Sequence, residues 1–311
     1  MLVTRGFLPS SPRPVALTIG NFDGVHRGHQ AILERLVREA RARGLAAAVL
    51  TFEPHPREYF SPETAPTRLT SLREKLELLA AFAIDQVHVQ RFDARFAHLT
   101  PVHFIERVLV QGLRTRWLLV GDDFRFGAKR AGDFGLLAEA APHYHFAVAA
   151  MPTVSDAGLR VSSSAVRDAL ARGDLAAARV LLGRDYSISG RVVHGAKLGR
   201  ALGYATANVQ LRHNRPPLTG IFAVRVSGID GGVRPGVASL GFRPTVEDEG
   251  RALLEVHLFD FAADLYGCHL RVEFLHKIRD EEKYADLETL KAQIARDCDA
   301  ARAVLGTSAH G

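Results

Sequence analysis

Two hydrophobic patterns follow one another along the chain. Up to about residue 152, apolar runs such as AAAVLTF, QVHVQRF and RWLLVG alternate with segments whose apolar residues recur at helical spacing. This alternation is typical of an α/β fold with a doubly wound parallel sheet. After Gly183, short alternating runs are separated by glycine and proline, and a helical pattern follows from about Asp286 to Leu305. This second pattern predicts a small antiparallel β-barrel with a C-terminal helix.

The change of pattern also predicts where the chain divides. SSSAVRDALARG and DLAAARVLLG indicate two short helices that end near Gly183, and the alternating runs begin just afterwards. We therefore expect one domain over residues 1–184 and a second over residues 185–311. A length of 311 residues agrees with two domains, since domains average roughly 150 residues.

The run from Val15 to His29, VALTIGNFDGVHRGH, predicts a nucleotide site. An apolar strand is followed by a glycine turn and by two histidines, His26 and His29, at the start of a helix. Amides and the positive dipole at a helix start favour phosphate, and histidines can donate hydrogen bonds to phosphoryl oxygens during transfer. The turn residues that we expect to contact ATP are Gly20, Asn21, Phe22 and Gly24.

A second interpretation of the two histidines is a pair of surface residues or part of a metal site. The cysteines Cys268 and Cys298 lie far along the chain, so the sequence offers no His/Cys cluster for a tetrahedral site.

Three further segments of the first half, TFEPHPREYF, VGDDFRFGAKRAGD and RVSSSAVR, lie at the ends of strands, where ligands of open α/β sheets bind. TFEPHPREYF offers flat apolar surface for an isoalloxazine or adenine ring, through Phe52, Pro54, His55, Pro56 and Phe60. The alternative is a rigid proline loop packed on the core. RVSSSAVR places hydroxyls and a guanidinium at a helix start, which suits a triphosphate; the residues are Ser162, Ser163, Ser164 and Arg167. A plain serine N-cap is the alternative.

The second half contains a candidate kinase site. Thr206 and Asn208, in the run TAN, share one face of a predicted strand and bring a hydroxyl and an amide oxygen toward one Mg²⁺ ion. A preceding glycine-rich cationic loop, able to close over ATP phosphates, contains Gly195, Lys197, Gly199 and Arg200. Glu255, in LLEVHLFDF, is a candidate base for an attacking alcohol, or else a solvated glutamate on an alternating strand.

The composition limits the cellular compartment and the binding partners that we expect for this protein. The sequence has two cysteines and no long uncharged apolar segment, which predicts a cytoplasmic protein without disulfides or membrane association. A net charge of +6 and a pI near 9.6 suit polyanions, but ATP and flavin phosphates satisfy this as readily as nucleic acid does. No basic, aromatic-interleaved run indicates nucleic-acid binding, and weak self-association is left open.

Both halves resemble known enzymes. GNFDGVHRGH resembles the signature of the flavin-specific branch of the H-x-G-H nucleotidyltransferases. The second half resembles riboflavin kinases in its T-A-N motif, its glycine-rich loop, its glutamate strand, GFRPTV and its C-terminal run. Together they are similar to the bacterial bifunctional riboflavin kinase and FAD synthetase family, over nearly the whole chain.

The resemblance implies two reactions: phosphorylation of riboflavin to FMN, and transfer of an adenylyl group from a second ATP to FMN. It places Asp123 against the nucleotide and Phe124 against the flavin, although Asp122 and Asp123 also suit a turn cap. Ser164 stands where the family usually has threonine and keeps the hydroxyl. Ala205 replaces the usual proline before T-A-N, which predicts a looser magnesium turn and a less efficient kinase.

Two other functions are compatible with these patterns. In the first, only the adenylyltransferase works and the barrel merely holds flavin. In the second, the chain is a non-catalytic flavin-binding regulator or a nucleic-acid-binding protein. Loss of transfer chemistry would accompany the second function, yet the polar groups that such chemistry needs are present in the sequence.

Overall fold

The computed structural model describes residues 1–6, 11–152, 155–156, 159–194, 204–211, 215–242 and 252–306. The chain forms two compact units, one comprising Met1–Pro66 and Leu72–Ser162, the other Thr67–Ser71 and Ser163–Gly311. Each unit is described on its own below.

A six-stranded parallel sheet forms the centre of the first unit, as the alternating pattern predicted, with the strand order β1-β4-β3-β2-β5-β6. The strands are β1 (Leu2–Gly6), β2 (Val15–Ile19), β3 (Ala46–Glu53), β4 (Gln86–Arg91), β5 (Thr115–Gly121) and β6 (Ala147–Met151). A short antiparallel pair, β7 (Ser155–Asp156) and β8 (Leu159–Arg160), follows them.

The helices of the first unit are α1 (Arg27–Ala42), α2 (Pro56–Phe60), α3 (Leu72–Ala81), α4 (Ala94–Ala97), α5 (Pro101–His103) and α6 (Phe134–His143). Helix α5 begins at Pro101, because the Thr100 hydroxyl accepts a hydrogen bond from the His103 amide at 3.2 Å and proline suits the first helical position. It continues as a π-helix over Phe104–Gly112, and a 3₁₀ turn occupies Ala128–Arg130.

The strand order indicates where the candidate site of the first unit lies. From β2 the chain steps to β3 and β4, and it then returns past β2 to form β5, so the order reverses between β2 and β5. Ligands of open α/β sheets bind at such a reversal, outside the carboxyl ends of the strands. The loops that follow β2 and β5 begin at this point, and these loops carry the predicted nucleotide residues.

Apolar residues on both faces of the sheet form its two cores. One core contains Leu17, Leu50, Phe104 and Leu118, and the other contains Ala16, Leu33, Val49 and Trp117. Trp117 on β5 is only 4% exposed, and the Arg43 guanidinium lies 5.1 Å from the centre of its ring.

The second unit is a closed six-stranded barrel, in agreement with the prediction, with the order β10-β13-β12-β11-β14-β9. Its strands are β9 (Tyr186–Val193), β10 (Thr206–Val209), β11 (Gly220–Ile229), β12 (Gly232–Phe242), β13 (Ala252–Leu258) and β14 (His269–Arg279). Three helices accompany them, α7 (Ser163–Ala171), α8 (Leu175–Leu182) and α9 (Leu287–Leu305).

Helices α7 and α8 belong to the barrel unit, although the pattern of the chain placed them before the predicted boundary at residues 184–187. Their apolar residues explain this grouping. Val166, Leu170 and Leu182 are buried in the same cluster as the barrel residues Phe222 and Phe274. A helix packs where its apolar face is covered, which the order of elements along the chain does not specify.

Helix α9 packs on the outside of the barrel. Cys298 and Ala301 are buried against Ala223 and Val237. The Arg279 guanidinium donates two hydrogen bonds, of 2.8 and 2.6 Å, to the buried carboxylate of Asp297 on this helix. That fork fixes α9 against β14.

Among the described residues, no helix is both long enough and apolar enough to cross a membrane.

Candidate active sites

The loop between β2 and α1 ends in a histidine that caps the helix. His26 has extended backbone angles, and its Nδ1 atom accepts a hydrogen bond from the His29 amide at 3.3 Å. Because Nδ1 acts as the acceptor, the ring proton of His26 lies on Nε2, which makes Nε2 a donor. A single side chain thus caps α1 and presents an N–H group at the end of the helix where phosphate binds.

The glycine between the two histidines packs closely against the His26 ring. A Cβ atom at Gly28 would lie 3.2 Å from Cε1 and Nδ1 of His26 and 3.4 Å from the carbonyl oxygen of Val161. The imidazole of His26 therefore occupies space that any larger residue at this position would need. The spacing of the H-x-G-H motif follows from this contact.

His29 stacks on His26, with ring centres 3.7 Å apart and planes 18° apart, and it also contacts Phe22. Burial, followed by repulsion from His26 and Lys75, lowers the pKa of His29 well below its usual value. Its Nδ1 atom is buried and finds no hydrogen-bond partner among the described residues. His29 is accordingly a neutral imidazole at physiological pH.

The loop itself has a constrained backbone. Phe22 and Val25 adopt positive φ angles of 48° and 40°, a region that non-glycine residues occupy rarely, and Gly24 has a φ of 81°. The carbonyl oxygen of Asn21 accepts a hydrogen bond from the Thr51 hydroxyl at 3.2 Å. The side-chain Oδ1 atom of Asn21 is buried, without a partner in the described part of the chain. Such strain is concentrated where a loop is shaped for a ligand.

Buried charge near this loop was not predicted from the sequence. Lys75 on α3 is 5% exposed, and its Nζ atom donates to the Thr51 hydroxyl at 3.4 Å. Asp23, within the loop, is 4% exposed. Lys75 lies on a helix with an ordinary amphipathic pattern, so its position along the chain gives no indication of a role.

The predicted flavin surface divides into packed and exposed residues. Phe52 is partly buried and packs edge-on against Phe92, 5.8 Å away, so for this residue the structure agrees with the alternative of a core aromatic. His55 caps α2: its Nδ1 atom accepts from the Arg57 amide at 3.1 Å, and Pro56 follows at the first helical position. Pro54 is exposed, and Phe60 is 65% exposed.

A chain of aromatic contacts joins the two flavin candidates of this unit. Phe60 contacts Phe92, which leads through Phe96 and Phe104 to Phe126. Phe126 stacks on Phe124 at 5.7 Å, with planes 17° apart. The segments after β3, β4 and β5 therefore form one aromatic band. Sequence analysis missed Phe92 and Phe126, which lie outside the proline-rich motif.

The remaining phosphate candidates lie at two places. Asp123 is exposed just after β5, in the first unit. Ser162 ends the first unit, whereas Ser163 and Ser164 open α7 in the second. Arg167, on the same helix, donates from Nε to the carbonyl oxygen of Thr67 at 2.6 Å.

Strand register assembles the second site. Asn208 on β10 lies opposite Glu255 on β13, and Glu255 lies opposite Ser239 on β12. Paired residues share a face of the sheet, so these side chains form one row. The alternating residue Ala207 is buried with the barrel core, which places the row on the outer face. Glu281, which was not predicted, accepts a hydrogen bond from Ser239 at 3.1 Å beside this row.

The oxygen atoms of β10 fit a hard cation. Asn208 is 7% exposed, and its Oδ1 atom has no hydrogen-bond partner among the described residues. Thr206 lies on the same face two positions earlier, with a hydroxyl oxygen. Mg²⁺ accepts such neutral oxygen ligands together with phosphate oxygens and water. Within the described residues, no group of three or more His, Cys, Asp or Glu side chains offers another metal site.

Ala205, which precedes this strand, is held by its neighbours. His257 Nδ1 donates to the Ala205 carbonyl oxygen at 2.9 Å, and the His257 ring contacts Tyr204 edge-on. This contact restrains the segment that a proline ring would otherwise restrict.

A cavity of about 250 Å³ adjoins Thr206 and Asn208. Its other lining residues include Val192, Phe261, Asp264 and Tyr266. Tyr266 stacks on His194 with ring centres 3.9 Å apart. The predicted phosphate loop, with Gly195, Lys197, Gly199 and Arg200, lies outside the described residues.

Taken together, a parallel-sheet unit with a candidate phosphate loop and a barrel unit with a candidate cation site are typical of a two-domain nucleotide-dependent transferase. The family models agree with this class. FAD synthetase matches residues 8–165, and riboflavin kinase matches residues 182–305.

Relatives with both domains specify the family. A bifunctional riboflavin kinase/FMN adenylyltransferase from Escherichia coli (strain K12) is 52% identical over 98% of each chain. One from Pseudomonas fluorescens is 50% identical over 100% of each chain. The chain belongs to the family of bifunctional riboflavin kinase/FMN adenylyltransferases. It phosphorylates riboflavin to FMN and adenylylates FMN to FAD, so the expectation of two reactions is confirmed.

The same two-domain fold occurs in a solved structure described as a macrolide-efflux protein from Streptococcus pneumoniae. The two share a TM-score of 0.81 and 28% identity, over 97% of this chain and 99% of that chain.

Proposed function

We propose that the β2–α1 loop carries out the adenylyl transfer. A phosphate oxygen of FMN attacks the α-phosphorus of ATP, a new P–O bond forms, and the bond to the β-phosphate breaks to release pyrophosphate. His26 donates from Nε2, and neutral His29 donates from its own Nε2, to the oxygens that gain charge. The capped histidine pair is the observation that supports this step most strongly.

Other residues complete the adenylyl site, and among them Ser164 and Arg167 stabilise the transferring group together with the histidines. The loop residues Gly20, Asn21, Phe22 and Gly24 surround the nucleotide, and Asp123 contacts it from the loop after β5. Ser162, Ser163, Ser164 and Arg167 hold the triphosphate through hydroxyls, the start of α7 and a guanidinium. The exposed Phe60 and the partly buried Phe124 offer stacking surface for the flavin, and Phe52, Pro54, His55 and Pro56 shape the loop beside it.

For the barrel, we propose that Glu255 accepts the proton of the ribityl 5′-hydroxyl of riboflavin. The hydroxyl oxygen attacks the γ-phosphorus of ATP, and ADP leaves. Thr206 and Asn208 hold Mg²⁺, which neutralises charge on the phosphates. The proposal rests on one observation above all: the register that pairs Glu255 with Asn208, whose buried Oδ1 atom lacks a partner in the described chain. Gly195, Lys197, Gly199 and Arg200 close over the phosphates in this proposal.

Two substitutions test this division of labour. Glu255→Gln should abolish FMN formation and leave conversion of FMN to FAD intact, because only the kinase step needs a carboxylate base at that position. His29→Ala should do the reverse. Chromatography of flavins, ADP and pyrophosphate over time measures both steps in one sample.

Matched controls are available on the same chain. Glu288→Gln on α9 and His98→Ala near α4 change exposed side chains and should leave both rates unchanged. If either active-site variant stopped both reactions while the protein stayed folded, the assignment of one reaction to each unit would be wrong.

The cellular setting is part of the proposal. We place the enzyme in the cytoplasm, acting on small molecules without nucleic acid or membrane, with at most weak self-association. Cys268 and Cys298 are free thiols, and burial raises the pKa of Cys298 to about 11. Light scattering across a range of protein concentrations, with and without added RNA or vesicles, tests the partners.

A further inference from the structure

Lys75 is a buried cation in the parallel-sheet unit, to which we assign the adenylyl transfer. It belongs to α3, whereas the catalytic loop lies between β2 and α1. Only 5% of the residue is exposed. Burying a lysine is costly unless its charge is put to use, so a lysine in this position calls for an explanation.

A relay of hydrogen bonds connects Lys75 to the loop. Lys75 Nζ donates to the Thr51 hydroxyl at 3.4 Å, and that hydroxyl donates to the Asn21 carbonyl oxygen at 3.2 Å. Thr51 is completely buried on β3. Because a hydroxyl has one proton to donate, the ammonium group that donates to Thr51 leaves this proton for Asn21. The lysine thereby orients the backbone just before the strained residue Phe22.

The charge of Lys75 also acts on His29. The groups that act on His29 electrostatically are His26, at the start of α1, and Lys75, from α3; both repel a proton. The buried Nδ1 atom of His29 has no acceptor among the described residues, so a proton there would be buried unpaired. Keeping the ring neutral leaves Nδ1 without a proton and Nε2–H available to a phosphate oxygen.

We propose that Lys75 is a positioning residue of the adenylyl-transfer site, acting on Asn21 through Thr51 and on His29 through its positive charge. It does not itself touch the reacting atoms. The inference rests on the proposed role of His29 and deepens it, since it names a group that, after burial and His26, helps to keep His29 neutral.

Three variants separate the two effects. Lys75→Met removes the charge and the hydrogen bond, Lys75→Arg keeps the charge, and Thr51→Val keeps the lysine while removing the relay. The readouts are the NMR titration of His29 and the pH dependence of the FMN-to-FAD rate in the full-length protein. Circular dichroism and thermal unfolding report that each variant is folded, because kinase activity of the barrel unit does not test the unit that contains Lys75.

Lys75→Met should raise the pKa of His29, and with it the acid-side inflection of the rate, while burial and His26, the larger causes of the low pKa, remain. The sign follows from the loss of a repelling charge. Lys75→Arg should leave the inflection where it is in the unmodified protein. Thr51→Val should lower the rate about fivefold at every pH without moving the inflection, since the hydroxyl that accepts from Lys75 and donates to Asn21 is lost. Arg73→Met, which removes a positive charge from the exposed side of α3, is the matched control and should change neither readout.

An unmoved His29 titration in Lys75→Met would overturn the inference, since a lysine that only supports packing lowers the rate equally at all pH values. If that variant fails to fold, Lys75→Gln makes the same change of charge with a polar side chain, and an unmoved titration there has the same meaning. Failure of the underlying assignment is distinguished by His29→Ala: a chain that still makes FAD from FMN after this change contradicts the role of His29 itself.

Discussion

The two active sites proposed for this chain are assembled by different means. The adenylyl site depends on a short loop, in which His26 caps α1 and Gly28 makes room for the imidazole. The kinase site depends on the register of β10 against β13, which places Asn208 opposite Glu255. A loop site is specified by consecutive residues, whereas a register site exists only once distant strands have paired, and a shift of one residue would turn its side chains inward.

The largest expected effect tests the register site. Asn208→Ala should lower riboflavin phosphorylation by about a hundredfold and leave FMN adenylylation unchanged, because the amide oxygen proposed to hold Mg²⁺ is lost. Steady-state rates over a range of magnesium concentrations measure the change.

Gln210→Ala is the control for this variant, since Gln210 is an exposed polar residue just after the same strand. If Asn208→Ala kept the full rate at every magnesium concentration, the cation would have to bind elsewhere. The pairing of Asn208 with Glu255 would then not explain how the kinase site is assembled.

A smaller effect is expected at the loop site. Gly28→Ala should slow FMN adenylylation about tenfold, because the new methyl group displaces the His26 ring and lengthens its hydrogen bond to the His29 amide. The kinase rate should stay the same. Flavin chromatography gives both rates.

Gly135→Ala, in helix α6, is the matched glycine variant; its added Cβ would meet only Asp133 Oδ1, at 3.3 Å, and both rates should be unaffected. An undiminished adenylyl rate in Gly28→Ala would show that the His26 ring can move without cost.

The smallest effect concerns Ala205. Ala205→Pro should raise the kinase rate at limiting magnesium by about twofold, since a fixed φ lowers the entropy lost on ordering the segment. The gain is modest because His257 already restrains the Ala205 carbonyl. In a chain that also carries His257→Ala, Ala205→Pro should raise the kinase rate by a larger factor. An equal factor with and without His257 would show that His257 does not take over the restraint of the missing proline.

The contrast also explains what the sequence could predict. Strands β2, β3 and β5 and the start of α1 were predicted correctly, because each depends on neighbouring residues. The barrel and its terminal helix followed from alternation and from glycine and proline spacing. Both reactions were anticipated through motifs of the same local kind.

Contacts between distant segments were not predictable in this way. Lys75 reaches Thr51 only because α3 packs beside β3, and Phe92 joins the aromatic band only because β4 lies next to β3. The grouping of α7 and α8 with the barrel depends on a shared core. A single sequence shows which residues are apolar, but the partner that covers them is a property of the folded chain.

The position of Trp117 has a practical consequence. It is the single tryptophan of the chain, and it is buried in the parallel-sheet unit beneath the Arg43 guanidinium. The barrel unit contains tyrosines but no tryptophan. Indole fluorescence therefore reports on one half of the enzyme alone, and the chain carries a built-in optical label by which the unfolding of its adenylyltransferase can be followed separately from that of its kinase.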